Sequence, residues 1–135
     1  MGQTLTISMA QLLIDTDVLI DYLRARSESI TYLENLTQPL VISAITVAEL
    51  YAGVRDGTER VALENFIASF QVRAVDERIA ARAGILRRDF GKSHGTGLAD
   101  AIIAATAEEQ QANLVTLNKK HFPMLQDVVV PYTKA

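Results

Sequence analysis

The chain has 135 residues, 49% of them hydrophobic, with seven glycines and three prolines, the make-up of one compact domain with its own core; disorder, collagen-like repeats and low-complexity assembly are excluded. There is no cysteine, which removes disulfides, thiolate-bound zinc and thiol nucleophiles, and makes the cytoplasm the expected compartment. Thirteen basic and 16 acidic side chains leave a net charge of -3, at first sight wrong for a protein that touches nucleic acid; setting aside four acids in a metal pocket makes the remainder slightly positive.

In chain order, residues 1 to 8 carry little apolar pattern and are expected to be dispensable. Short apolar, β-branched runs follow at 12 to 15 (Leu-Leu-Ile-Asp), 39 to 45, 71 to 75, 113 to 117 and 127 to 130. Each reads as a buried strand. A helix is expected over 18 to 24. Leu63, Phe66, Ile67 and Phe70 mark a helical stripe, and Ile79, Ala83, Leu86 and Phe90 mark a second. Strands that alternate with helices predict an α/β fold: an open, doubly wound, mostly parallel sheet of about five strands with helices on both faces, in a single domain. No apolar run approaches the roughly 20 residues of a membrane helix.

Ligands of such sheets gather at the carboxyl ends of the strands, so the acids there carry the functional question. Asp15 ends the first run and Asp17 follows it. Two bare carboxylates about 4 Å apart repel by about 4 kcal/mol at an effective dielectric near 20, a cost relieved by a cation or a proton. The competing reading is that Asp17 caps the helix while Asp15 faces solvent. Glu49 follows the second run, where Thr46-x-x-Glu49 also fits a capping box. Asp100 lies in the first turn of a helix apolar on nearly every side, where a buried acid needs a partner, and capping competes there too. Thr116 and Asn118, two apart at the end of the fourth run, face one side and could add a hydroxyl and an amide, although Asn also suits a turn. Asp21 reads as an exposed acid of a surface helix, and His121 as a helix-end or substrate-side residue. With only His94 and His121 as nitrogen donors, a metal site here is built from oxygen, which points to Mg²⁺ or Mn²⁺. The Gly91-Lys-Ser-His-Gly-Thr-Gly97 segment lacks the spacing of a phosphate-binding P-loop. Arg78, Arg82, Arg88 and Lys92 project to one helix face interrupted by Asp89, equally a solvated surface and a nucleic-acid footprint.

Taken together, Leu-Leu-Ile-Asp-Thr-Asp before a helix, Thr-x-x-Glu-Leu after the second run, Leu-Ala-Asp-Ala-Ile-Ile-Ala opening a late helix, and Thr-Leu-Asn-Lys-Lys-His-Phe after the fourth run resemble the PIN domain, and within it the VapC-type toxin ribonucleases. The resemblance spans roughly residues 10 to 132. It implies that Asp15, Glu49 and Asp100 are metal-binding acids, that Asn118 stands where many members carry a fourth acid, and that Thr116 is the neighbouring hydroxyl. Asp17 occupies a position often held by a small polar residue, and is at most a supporting group. The implied activity is hydrolysis of RNA phosphodiesters by a metal-activated water, with Mg²⁺ or Mn²⁺ as cofactor. The implied partners are RNA, a cognate antitoxin protein seated in a groove between helices, and a second copy of the chain; Leu50-Tyr51 and Phe66-Ile67 are candidate surfaces.

Three rivals share parts of this pattern. A haloacid-dehalogenase-like phosphatase also starts from Asp-x-Asp but continues with Thr or Val where this chain has Leu19. A receiver-like domain would need a phospho-accepting acid after the third run, for which Asp76 is the candidate. A catalytically silent PIN-like binding module would have no need of Asp15, Glu49 and Asp100 together.

Overall fold

The computed structural model describes residues 10 to 134. Four short strands, β1 (Leu12–Ile14), β2 (Leu40–Ser43), β3 (Gln71–Arg73) and β4 (Asn113–Val115), form one parallel sheet in the order β3-β2-β1-β4. Six helices connect them: α1 (Thr16–Leu23), α2 (Ser27–Glu34), α3 (Ala44–Ala52), α4 (Thr58–Ile67), α5 (Glu77–His94) and α6 (Leu98–Gln110). A 3₁₀ turn, Lys119–His121, follows β4.

Both faces of the sheet are covered, as expected. One core layer gathers Leu13, Val41 and Leu114 against Ile79, Ala83 and Leu86 of α5 and the alanines of α6. The other gathers Leu12, Ile14, Ile42 and Val115 against Val18, Leu19, Leu33, Leu50 and Leu63. Successive strand residues point to opposite faces, so β1, β2 and β4 each feed both layers with their apolar side chains. β3 is not the buried strand expected of its run: it lies at the sheet edge with Gln71 and Val72 exposed and adds no residue to either layer. Along α5, the Ile79, Ala83 and Leu86 stripe is buried as its spacing dictates.

The expected fifth strand, 127 to 130, is not one. Its contact with the sheet is a single bridge, Val115 to Val129, with Val129 N–H donating to Leu114 O at 2.8 Å and Thr116 N–H to Val129 O at 3.0 Å. Asp127 sits at a left-handed φ of 56° and Pro131 has no N–H to donate, so the ladder is stopped on both sides. The other four runs are strands trimmed at their ends. Residues 44 and 45 belong to α3, where Ser43 caps the helix by accepting from Ile45 N–H. Phe66 and Ile67 pack into the second core layer, with Phe66 stacked on Tyr22 at 5.1 Å, and Leu50 is buried. Tyr51, Phe66 and Ile67 are only partly buried, so they serve the core while keeping part of their surface open. Residues 1 to 8 lie outside the described residues. Among the described residues no helix is long and apolar enough to cross a membrane.

From β1 the chain steps to β2 and β3 in one direction, then returns to place β4 on the other side of β1. The reversal opens a crevice between the carboxyl ends of β1 and β4, the place where ligands of such sheets bind.

Candidate functional site

Asp15 stands at that crevice, one residue past β1, and is 6% exposed. It is the N-cap of α1, with Oδ1 accepting from Thr16 N–H at 2.8 Å. Its other oxygen accepts from Thr116 Oγ1 at 2.7 Å. The competing reading of the sequence, Asp17 as the cap with Asp15 in solvent, is not met: Asp15 is the cap and is buried. Asp17, in the first turn of α1, does not cap it. Its Oδ2 instead accepts from Leu117 N–H and from Asn118 Nδ2, each at 3.1 Å, while Oδ1 is buried without a hydrogen-bond partner.

Burial, the charge of Asp17 and, more weakly, that of Asp100 push the Asp15 carboxyl up to about 7, against the hydrogen bonds from Thr116 and Thr16. Burial also raises Asp17, opposed by its backbone hydrogen bonds. Two acids biased toward holding a proton, one with an orphaned oxygen, form a pocket that favours added positive charge.

Glu49 is exposed in the second turn of α3. Its Oε1 accepts from Thr16 Oγ1 at 2.6 Å, and Thr16 Oγ1 lies 3.0 Å from Thr46 Oγ1. The Thr46–Glu49 capping box is not formed, because Ser43 caps this helix. The spacing of three instead puts Thr46 and Glu49 on one helix face, both turned to Thr16. Sequence reasoning assigned no site role to Thr16 or Thr46. The available signals were the hydroxyl between two acids in Asp-Thr-Asp and this three-residue spacing.

Asp100 is half-buried in the first turn of α6, and its Oδ2 accepts from Gly97 N–H at 2.9 Å, the returning half of a capping box. The same oxygen lies 3.3 Å from His121 Nδ1. Thr116 is buried and Asn118 exposed at the rim, where Asn118 N–H donates to Thr116 Oγ1 at 3.0 Å. Two networks result: Asp15, Thr116, Asn118 and Asp17 on one side, and Glu49, Thr16 and Thr46 on the other, joined through the Asp15 cap on Thr16. As placed, no group of three acidic or histidine side chains among the described residues is close enough to hold a metal ion directly.

Several other expectations change. Asp21 is not an exposed acid: it is 5% exposed, and accepts from Tyr132 Oη at 2.9 Å and Lys134 Nζ at 2.8 Å. The C-terminal segment therefore folds back over α1 and neutralises it. Asp76 caps α5 by accepting from Ile79 N–H, a structural employment that weakens the receiver-like rival. On the basic face of α5, Arg82 is held by both oxygens of Glu108, and Arg88 pairs with Asp89. A groove of about 460 Å³ runs beside the crevice between α1, α3 and α4, with Glu49, Arg24, Leu50 and Val54 among its walls.

Comparison with known proteins agrees with this geometry. The family model described as PIN domain matches residues 12–125. The chain is 41% identical over 124 residues to Ribonuclease VapC10 of Mycobacterium tuberculosis, covering 90% of this chain and 92% of that one. It is similar to a chain in a toxin-antitoxin complex from Klebsiella pneumoniae (TM-score 0.79, 32% identity, 91% of this chain and 99% of the other). It is likewise similar to a chain of FitAcB from Neisseria gonorrhoeae (TM-score 0.71, 29% identity, 89% and 97%). With its sheet order, its acids at the switch point and these relatives, the chain belongs to the PIN domain family, alongside the VapC ribonucleases.

Proposed function

We propose that this protein is an endoribonuclease that hydrolyses RNA phosphodiester bonds with Mg²⁺ or Mn²⁺, and that it is the toxin of a toxin–antitoxin pair. The observation that carries the reading is Asp15: a buried carboxylate at the end of the central strand, pushed up to about 7 by burial and by Asp17 and Asp100. The relatives' printed names support the reaction class and the partner class.

Asp15, Glu49 and Asp100 are the acids assigned to the ion, with Asp17, Thr116 and Asn118 supporting them. Their donors fit it in kind: all are oxygen or amide groups suited to a hard cation, and Asp17 Oδ1 is an orphan acceptor. Glu49 must leave Thr16 to join the others, which its exposed position and rotatable side chain permit. When bound, a divalent ion lowers the pKa of a water and offsets charge developing on the phosphate. The chain itself supplies the scaffold. Thr116 fixes one oxygen of Asp15, Gly97 N–H holds Asp100, and Thr16 holds Glu49 at the rim. Lys119 and Lys120, exposed just past Asn118, offer positive charge to an approaching phosphate backbone. The groove between α1, α3 and α4 has Glu49 in its wall, so an antitoxin segment lying there would cover the pocket. Self-association as a homodimer completes the proposal.

The test is cleavage of RNA by purified protein with Mg²⁺, with Mn²⁺ and with EDTA. Cleavage that stops in chelator and returns with either ion supports the reading. Undiminished cleavage in chelator overturns it.

A further inference from the structure

We propose that His121 is a positioning residue that fixes the orientation of the Asp100 carboxylate. This rests on the reading of Asp100 as an acid of the pocket. His121 Nδ1 and Gly97 N–H converge on the same oxygen, Asp100 Oδ2, at 3.3 Å and 2.9 Å. Both contacts fall on Oδ2, so Oδ1 is the oxygen left to a ligand. The Gly97 N–H hydrogen bond alone lets a carboxylate swivel about its last torsion, and the His121 ring, a close polar neighbour of the same oxygen from a different segment, restricts that swing.

The imidazole is itself held. Thr96 Oγ1 donates to the His121 carbonyl at 2.7 Å, tying the 3₁₀ turn to the loop before α6. Gly95 has a left-handed φ of 70°, and a Cβ built on it would lie 3.4 Å from His121 Nε2. A side chain there would be strained by that φ, and its Cβ would come into contact with the ring. Gly95, Thr96 and Gly97 thus each meet one part of the same pair: ring edge, backbone and carboxylate. To act on the carboxylate oxygen, the imidazole must present a proton at Nδ1. His121 is a quarter exposed, with its Nδ1 turned to the carboxylate.

Three substitutions separate a positioning donor from a space-filling ring. Asn places its amide nitrogen near the position of Nδ1, Gln extends it toward Nε2, and Ala has neither. Mn²⁺ affinity, measured by calorimetry, is expected to fall about 10- to 100-fold in His121→Ala and His121→Gln and to stay within about threefold of wild type in His121→Asn. Cleavage should lose kcat with little change in the KM for RNA, and be rescued by Asn alone. In the metal-free protein, exchange of the Gly97 amide proton should quicken about fivefold in Ala and Gln, but not in Asn, as the loosened carboxylate releases it. If His121→Ala fails to fold, the Asn and Gln pair decides. Equal behaviour of Asn and Gln, or wild-type Mn²⁺ affinity and Gly97 exchange in His121→Ala, overturns the proposal. A wild-type protein that binds no Mn²⁺ overturns the metal reading instead, and Gly97 exchange in the metal-free protein still decides whether His121 holds Asp100.

Discussion

Thr116 Oγ1 donates to Asp15 Oδ2 at 2.7 Å across 101 positions of chain, and the same hydroxyl oxygen accepts from Asn118 N–H at 3.0 Å. One small side chain therefore satisfies a buried carboxylate oxygen and the Asn118 amide, three residues beyond β4. Thr116→Val keeps the shape and removes both bonds. It should cost about 1–3 kcal/mol of stability, the penalty of leaving a buried polar group unpaired, read from urea melts at neutral pH. A loss below a few tenths of a kcal/mol would show that water replaces the hydroxyl.

The raised Asp15 pKa carries a sign for stability. Between its ordinary value of 3.8 and about 7, the folded chain holds a proton that the unfolded chain has released. Stability without metal should therefore fall as pH rises through that window, by an amount on the order of a few kcal/mol. Asp17 is raised as well and acts in the same direction. Asp21 acts oppositely. Burial would raise it, but Lys134 and Tyr132 bring it below its ordinary value, so its contribution is lost only in more acid solution. Urea melts of wild type and Asp15→Asn from pH 4.5 to 8 check the slope, which Asp15→Asn should flatten. Metal-free stability that climbs steadily to pH 8 would contradict it.

Asp100→Asn should separate stability from activity. The amide oxygen can still accept Gly97 N–H, so the cap survives while a repelling charge and a ligand oxygen are lost. The metal-free protein should be at least as stable as wild type, RNA cleavage should drop by orders of magnitude, and the rise in melting temperature with Mn²⁺ should vanish. If Asp100 serves only as a cap, metal response and cleavage will be unchanged.

Asn118 donates to Asp17 Oδ2 at 3.1 Å, so Asn118→Asp sets a carboxylate against a carboxylate. Stability without metal at pH 7.5 should fall by about 1 kcal/mol, and the thermal shift with Mn²⁺ should grow, since the added charge both repels Asp17 and attracts the ion. Calorimetric scans with and without Mn²⁺ read both effects. A shift with Mn²⁺ no larger than wild type would place position 118 outside the ion's reach.

Apolar runs and acid positions carried most of the fold and the outline of the pocket. The runs at 12 to 15, 39 to 45 and 113 to 117 hold strands because a doubly covered parallel sheet requires apolar residues there, a local property, whereas Gln71–Arg73 pairs as an exposed edge strand whose burial its composition did not foretell. The run at 127 to 130 has the same composition, but its pairing is cut by the backbone of Asp127 and by Pro131, and hydropathy does not encode torsion angles. Asp21 shows the other limit. Its cover comes from Tyr132 and Lys134, more than a hundred residues away, and nothing near Asp21 announces them. The tie of Thr16 to Glu49 and Thr46 is invisible for the same reason: it joins α1 to α3, and only the packed structure brings a hydroxyl to both.

The order β3-β2-β1-β4 also bears on the chain as it is made. The central strand gains its second neighbour only from residues 113 to 115, and Asp15 gains its hydroxyl partner at residue 116. Contacts of such sequence separation form late, and a chain growing from its N-terminus cannot make them until the far segment has been synthesised. A nascent chain that has passed α6 but not β4 holds Asp15, Glu49 and Asp100 with no crevice to gather them. The pocket is thus withheld until residue 116 has been made, and a chain cut short before it is a fragment that cannot assemble the pocket.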